Sequence, residues 1–431
     1  MKKMLILCVL AVMTAGPCLA QRTSIRDEVR KDRTLPLGPD KVYNFDVPAL
    51  TPAPKGYEPV YISHYGRHGS RYAYSSRTYG FLHDALEEGA EKGNLTPFGI
   101  SLKKQLAPFF ETVSNHVGEL TRKGWDQLYG IGRRMVEFFP SVFPDGAEID
   151  ACVSPSIRSV MSMTACCLAI GQSRPEVRIF EHQTWDDLRA ARPNMGYKDA
   201  YTYIGAPCPT QESAESFIGR MVDWRTILGR IFIDPAAALG KYTPADALDY
   251  LYMMVAGMES LDEEIVPDVA GIFTPEEFAT MWEADNYLRY REYYEYLAPC
   301  CSIFEDIIER ADTHLESRQR GADLRFGHDH VLLTLLMISD IEAFGHFGAR
   351  PEDVAQTFQN FRSPMGGNLQ FIFYRKGVSA SADGQPETLV QVLLNGEETW
   401  FSGLAPASGP YYDWTAMKSF LEKRMDLFRQ R

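Results

Sequence analysis

The stretch YISHYGRHGSRY, from Tyr61 to Tyr72, decides how the rest of the chain is interpreted. Its first half is apolar and rich in β-branched and aromatic residues, which predicts a buried strand. Glycines at the end of this strand allow the backbone to turn sharply, and Arg67, His68 and Arg71 stand beside them. In open α/β sheets a site forms beyond the carboxyl ends of the strands, so we expect these three side chains in a crevice.

The residue types in this turn suit a phosphate group. An arginine guanidinium donates paired hydrogen bonds to phosphate oxygens and stays charged at any accessible pH. Because nearby positive charge disfavours imidazolium, His68 is expected to be neutral, as a nucleophile must be. The turn therefore predicts an anion site that contains a nucleophilic histidine.

Two further segments offer side chains of the same kind at the ends of predicted strands. SPSIRS, residues 154–159, places Arg158 at the start of a helix, where free backbone amides also favour an anion. FGHDH, residues 326–330, places His328 and Asp329 at the end of another strand. A carboxyl group within reach of an ester can protonate its departing oxygen, so Asp329 is a candidate proton donor.

Strands and helices alternate along much of the chain. This alternation predicts an α/β fold, a mainly parallel sheet with helices on both faces. The predicted strands lie at 58–66, 177–183 and 322–330, the clearest helix at 120–139, a strand, loop and helix at 147–171, and an antiparallel pair at 369–377 and 388–396.

A central segment has a different sequence pattern, which indicates helices. Its TPADA and TPEEF motifs, which start at Thr243 and Thr274, are typical of helix N-termini, and a stripe of aromatic side chains follows them and predicts a helix core. We therefore expect a helical cap inserted at 185–321 in an α/β core. The core consists of residues 21–184 and 322–431, and residues 21–50 are expected to be an extended surface leader.

Composition and the first residues bear on location and partners. The chain has 431 residues and a formal net charge of -13, which disfavours nucleic acid as a partner. Residues 1–20 have two lysines, an apolar run and small residues before Gln21, which is typical of a secretory signal peptide. We therefore expect a secreted protein, periplasmic in a Gram-negative source, with no membrane span. Six cysteines follow the signal, and their pairing and the oligomeric state stay open.

The motif RHGSR with a downstream HD resembles the histidine acid phosphatases of the phosphoglycerate-mutase-like superfamily. Their pattern is RHGxRxP near the N-terminus and HD near the C-terminus. LTRKGWDQLYGIG, which starts at Leu120, resembles the family's LTxxG helix, and SPSIRSVMS resembles the segment with its third phosphate-binding arginine. LVQVLLNGEE, which starts at Leu389, is similar to the C-terminal strand of multiple inositol-polyphosphate phosphatases. The likeness extends over most of the chain.

The resemblance implies a role for each matching residue. His68 would attack phosphorus and form a phosphohistidine, Asp329 would protonate the leaving alcohol, and water would then release phosphate. No metal or other cofactor is implied, because arginines supply the positive charge. The phosphate oxygens would be held by four side chains, Arg67, Arg71, Arg158 and His328.

The chain departs from the family pattern at two places. Ala73 replaces the family proline, and His328-Asp329-His330 stands where inositol-polyphosphate phosphatases usually carry HAE. The resemblance assigns no role to His330. Arg77, shortly after the motif, is a candidate contact to a second substrate phosphate.

Several functions stay open at this point. The substrate, a small phosphate ester, is expected to be an inositol polyphosphate such as phytate, with sugar phosphates or unspecific esters as the alternative. A mutase and a non-catalytic phosphate-binding protein on the same fold are also compatible with the arginines. A metal site at His328, Asp329 and His330 is a further alternative, which three nearby arginines disfavour.

Overall fold

The structure, a computed structural model, describes residues 24–193, 208–377 and 387–429. The predicted signal peptide, residues 1–20, lies outside these ranges. The described strands form one sheet in the order β3-β2-β4-β1-β5-β6-β7, and β8 also pairs with β6. The strands are β1 (Tyr57–Arg67), β2 (Glu148–Val153), β3 (Arg178–His182), β4 (Gly321–Gly327), β5 (Asn368–Lys376), β6 (Thr388–Leu394), β7 (Glu397–Glu398) and β8 (Tyr411–Asp413).

Strand direction changes in the middle of this sheet. β3, β2, β4 and β1 run parallel to one another, whereas β5 pairs antiparallel with β1 and β6 pairs antiparallel with β5. The predicted antiparallel pair near the C-terminus is therefore confirmed. The four parallel strands all end at the same edge, which brings the predicted motifs together.

Helices cover both faces of the sheet, so the predicted α/β fold class is confirmed. Ile62 of β1 packs in one apolar cluster with Leu128 and Cys166, and Tyr61 packs on the opposite face in the cluster that contains Phe304 and Leu332. The described α-helices are α1 (Ile25–Lys31), α2 (Ser76–Glu91), α3 (Pro97–Val113), α4 (Arg122–Phe138), α5 (Ile157–Ser173), α6 (Leu188–Ala191), α7 (Ala214–Met221), α8 (Trp224–Leu228), α9 (Pro235–Ala238), α10 (Pro244–Gly257), α11 (Pro275–Tyr294), α12 (Leu297–Ser317), α13 (Asp329–Ser339), α14 (Pro351–Thr357) and α15 (Trp414–Asp426).

The helix starts agree with the sequence signals. Thr243 and Thr274 each form a capping box with the residue three positions later, at the N-termini of α10 and α11. The side chain of Thr121 accepts a hydrogen bond from the amide of Gly124 and caps α4. The five aromatic residues of α11 from Trp282 to Tyr294 are buried, as expected for a helix core.

Between β3 and β4 the described residues form helices α6 to α12 and short 3₁₀ turns. α10 packs against α2, which belongs to the first half of the chain. The helical segment and the N-terminal segment thus share an apolar cluster. The division into a core and an inserted cap at residues 185–321 stays a prediction.

The N-terminal segment corrects one expectation. Residues 24–50 contain α1 and a 3₁₀ helix, Leu35–Asp40, instead of an extended leader on the surface. Pro39 and Asp40 are buried, and the Tyr252 hydroxyl donates to the Pro36 carbonyl at 2.7 Å. The expectation is wrong because these prolines and leucines fill a groove in the helical part, which a local pattern cannot show.

Two general properties concern the described part of the chain. None of the helices within it combines the length and the apolar character needed to cross a membrane. The six cysteines that follow the predicted signal peptide are free thiols, and five of them are buried.

Candidate active site

A cleft lies at the carboxyl ends of the parallel strands. Arg67 is the last residue of β1 and His68 follows it, Arg158 lies in the first turn of α5 after β2, and His328 follows β4. The cleft has a free volume of about 200 Å³. Five of the predicted site residues line it: His68, Arg71, Arg158, His328 and Asp329.

His68 is held in one tautomer. Its Nδ1 lies 2.9 Å from the carbonyl oxygen of Gly69, and since a carbonyl only accepts, Nδ1 carries the hydrogen. The lone pair of the neutral ring is therefore on Nε2. Burial lowers the pKa of His68 well below its usual value, and the charges of Arg158 and Arg67 lower it further. The ring is a neutral imidazole with a free lone pair, as a nucleophile requires.

The turn that carries His68 is fixed by hydrogen bonds to α4 and α5. The amide and hydroxyl of Thr121 donate to the carbonyl of Ser70 at 2.9 and 3.0 Å. The amide of Ser70 donates to the side chain of Gln127 at 2.8 Å, and the amide of Gly69 donates to Ser162 at 3.0 Å. Each backbone group has a partner, so the turn has little freedom to move.

Glycine makes this close approach possible. A Cβ atom on Gly124 of α4 would lie 2.1 Å from the carbonyl oxygen of Ser70, and one on Gly69 would lie 2.4 Å from the carbonyl oxygen of Gly124. Ordinary contact begins at 3.4 Å. The threonine and glycine of the LTRKG stretch thus allow the helix to pack directly on the turn that carries His68.

Arg67 is completely buried and is oriented by two carbonyl oxygens. Its Nη1 donates to Pro39 and, at 2.6 Å, to Ser363. Nε and Nη2 have no partner within the described ranges. A guanidinium with unpaired buried donors is suited to an anion, because an unmet donor costs about 1–3 kcal/mol.

Arg71 and Arg158 add positive charge to the cleft. Arg71 is partly compensated by Asp40, whose carboxylate lies 3.7 Å from Nη2. Burial, together with the charge of Arg71, lowers the pKa of Arg158 to about 10. The mutual repulsion of these cations would be relieved by a bound phosphate.

His328 is also neutral. Its Nε2 lies 2.7 Å from the hydroxyl of Ser154 and 3.3 Å from Nη1 of Arg192. Since a guanidinium only donates, Nε2 is an acceptor. Burial lowers the pKa of His328 well below its usual value, and His330 and Arg192 act in the same direction.

Asp329, the first residue of α13, is surrounded by donors. Its Oδ2 lies 3.5 Å from Nη1 of Arg289 and 3.3 Å from the hydroxyl of Tyr293. Burial alone would raise the pKa of Asp329, but the charges of Arg67 and Arg289 hold it well below its usual value. In the ligand-free cleft the side chain is a carboxylate.

The metal alternative assumed that a strand continues through His328 and His330. That assumption is wrong, because β4 ends at Gly327 and α13 begins at Asp329. The two imidazole rings are nevertheless stacked, with centroids 5.3 Å apart. Within the described ranges, no cluster of three or more histidine, cysteine or acidic side chains fits a metal ion.

Two predicted residues do not line the cleft: Arg67, which is buried next to His68, and Arg77, which lies apart from the others. Arg77 lies in the first turn of α2 and is exposed. The cleft residues that sequence reasoning missed include Asp40, Arg192, Arg289 and Tyr293. Tyr293 belongs to the aromatic stripe, and Arg289 pairs with Asp285 one turn earlier, which reads as an ordinary helix-surface pair. Neither Asp40 nor Arg192 has a local signal.

Comparison with known proteins gives likeness in fold. No family model matches the sequence, and no curated protein matches it. Among solved structures, the multiple inositol polyphosphate phosphatase of Bifidobacterium longum in complex with inositol hexasulfate has a TM-score of 0.73 at 17% identity, over 90% of this chain and 97% of that one. The complex of the same phosphatase with phosphate also has a TM-score of 0.73, at 16% identity, over 91% of this chain and 98% of that one. The phytase from D. castellii has a TM-score of 0.64 at 14% identity, over 96% of this chain and 88% of that one. The fold expected from the resemblance to histidine acid phosphatases is thus confirmed.

Proposed function

We propose that this chain is a phosphomonoesterase that hydrolyses phosphate esters through a phosphohistidine on His68. The observation that carries the proposal is the state of His68, a buried neutral imidazole with its Nε2 lone pair free, in a cleft lined by arginines. Binding alone would need only the cations. A single-tautomer histidine among them is what covalent phosphoryl transfer requires.

The reaction has two steps in this proposal. In the first, Nε2 of His68 attacks phosphorus while Arg67, Arg71, Arg158 and His328 hold the phosphoryl oxygens, and the P–O bond to the alcohol breaks. The departing oxygen takes a proton from the turn at residues 328–330, for which the sequence predicts Asp329. In the second step water attacks phosphorus, the P–N bond breaks, and phosphate leaves.

We propose inositol polyphosphates such as phytate as the substrate class. Arg192 lines the cleft besides the predicted phosphate ligands, so the cleft offers one more cation to a substrate with several phosphates. A phosphatase of similar fold binds inositol hexasulfate, and another protein of similar fold is a phytase. Sugar phosphates or a broad range of esters are the alternative. We further propose that the protein is exported and that the helices of residues 185–321 cap the catalytic core.

Phosphate release from phytate, glucose 1-phosphate and p-nitrophenyl phosphate tests the activity and ranks the substrates. We expect His68→Ala to abolish release from every ester and to leave no trappable acid-labile phosphoenzyme after rapid quench. His83→Ala, at an exposed histidine of α2 outside the cleft, is the matched control and should behave as wild type. Binding of phytate without release would identify a binding protein, and phosphoenzyme in His68→Ala would contradict the assigned nucleophile.

A further inference from the structure

We propose that His330 protonates the leaving oxygen and that Asp329 is the carboxylate that positions it. The proposal rests on the phosphatase function above and adds a catalytic residue to it. It follows from the different partners that the two neighbouring side chains have in the cleft.

The acidic side chain is already engaged. Arg289 is fixed by Asp285 of its own helix, at 2.8 Å, and lies 3.5 Å from Oδ2 of Asp329. The hydroxyl of Tyr293 donates to the same oxygen. A carboxylate held by a cation and a hydroxyl is stabilised in its ionised form. Neither Arg289 nor Tyr293 is among the predicted phosphate ligands, so this stabilisation does not depend on the arginines whose charge the phosphate offsets, and Asp329 is the poorer proton donor of the two.

The histidine is mostly buried, with 13% of its side chain exposed, and it has an unused ring nitrogen. His330 lines the cleft, and its Nε2 has no hydrogen-bond partner in the described part of the chain. Its Nδ1 lies 3.9 Å from Oδ1 of Asp329, so the carboxylate faces the opposite nitrogen. His328 stacks on the ring, and Tyr293 and Tyr296 lie beside it at centroid distances of 5.9 and 5.4 Å. Packing therefore fixes the ring with one nitrogen toward an anion and the other unpaired.

The surrounding charges link the protonation of His330 to the substrate. Burial lowers the pKa of His330, Asp329 opposes this, and the charges of three arginines add to it, so that the pKa is about 4. The three arginines are Arg192, Arg67 and Arg158. A phosphate dianion bound by these arginines offsets their charge and raises the pKa of the ring. The histidine is thus neutral in the empty cleft and takes up a proton with the substrate. Tyr293 of α11 and Tyr296, at the N-terminus of α12, stay uncharged, because burial raises their pKa values.

His330 both gives and regains a proton in the course of the reaction. As Nε2 of His68 forms its bond to phosphorus, the ester P–O bond breaks and its electron pair takes the proton from Nε2 of His330. His330 is then neutral. It accepts a proton from the water that attacks the phosphohistidine, and the P–N bond breaks as phosphate forms.

Leaving-group dependence tests the assignment. p-Nitrophenolate departs without help, whereas the alkoxide of 2-glycerophosphate needs a proton, and general acid catalysis contributes about 10²–10⁴-fold. We expect His330→Gln to slow phosphoenzyme formation about 100-fold or more with 2-glycerophosphate and less than about tenfold with p-nitrophenyl phosphate. His330→Glu, which restores an acid, should recover part of the loss. His83→Gln is the matched control.

The pH dependence separates His330 from Asp329. With 2-glycerophosphate the single-turnover rate should fall as the pH rises through the pKa of His330 in the complex, and this limb should be absent in His330→Gln. Asp329→Asn removes a charge that raises that pKa, so the limb should move to lower pH and the rate should recover in acid. If Asp329 were the donor, its loss would persist at every pH.

The outcomes distinguish the inference from the function. Equal losses with both esters in His330→Gln, in an enzyme that still forms phosphohistidine, would overturn the role of His330 alone. Absence of phosphate release by the wild type would overturn the phosphatase function itself. If the melting temperature shows that His330→Gln does not fold, His330→Glu and the pH profile of Asp329→Asn still decide whether His330 is the proton donor.

Discussion

Replacing Gly124 by alanine tests whether the contact between α4 and the nucleophile's turn sets the position of His68. The new Cβ atom would lie 2.1 Å from the carbonyl oxygen of Ser70. To restore the 3.4 Å of ordinary contact, helix and turn must separate by about 1.3 Å. Both sides of the contact are backbone, so no side chain can rotate away.

The size of this displacement predicts its effects on the rate and on the stability of the protein. A misplacement of about 1 Å at a reacting group costs about 100-fold in rate. Overpacking costs about 1–3 kcal/mol, while alanine gains about 1 kcal/mol of helix propensity over glycine, so the net loss of stability is small. We therefore expect kcat to fall about 100-fold with only a modest decrease in the melting temperature.

The assay compares Gly124→Ala with Gly80→Ala in phosphate release and thermal unfolding. Gly80 lies inside α2, and a Cβ atom there meets nothing within 4 Å. Gly80→Ala should keep full activity and melt slightly higher, because it gains propensity without a clash. Wild-type kcat in Gly124→Ala would refute the view that this contact positions the nucleophile.

Two other predictions follow from the charges of the cleft. Arg158→Ala should raise KM and lower kcat together in steady-state kinetics, because the guanidinium contacts the phosphoryl group in both ground and transition states; unchanged values would place Arg158 outside the site. Activity should survive prolonged treatment with a chelator, because arginines supply the charge stabilisation, and loss of activity with rescue by zinc would contradict this assignment.

Local signals account for the parts of the site that follow directly on a strand. β1, β2 and β4 were predictable from their apolar runs, and each ends at a motif, so His68, Arg158 and His328 could be placed at one edge of a sheet. Thr121 is a typical N-cap residue and likewise predicts the start of α4. In these cases the chemistry and the secondary structure are adjacent in the sequence.

The remaining cleft residues depend on packing between distant elements. Arg289 reaches Asp329 only because α11 packs against α13, and the sequence of α11 by itself indicates a helix with a paired surface arginine. Asp40 lies in a proline-rich stretch that resembles a leader, and its burial follows from contacts made elsewhere. Arg77 shows the opposite case, since it is close to the motif in sequence yet does not line the cleft.

The position of β1 in the middle of the sheet has a consequence for the time course of folding. Its side chain Tyr61 bonds Asp323, which is 262 positions away, and Arg67 bonds a carbonyl 296 positions away at Ser363. The entropy of closing such long loops is lost before the contacts stabilise the chain, so pairing of this strand is slow. A nascent chain that has not yet reached β4 and β5 has β1 without either neighbour. His68 is thus synthesised early, but its surroundings are completed only when nearly the whole chain has been made.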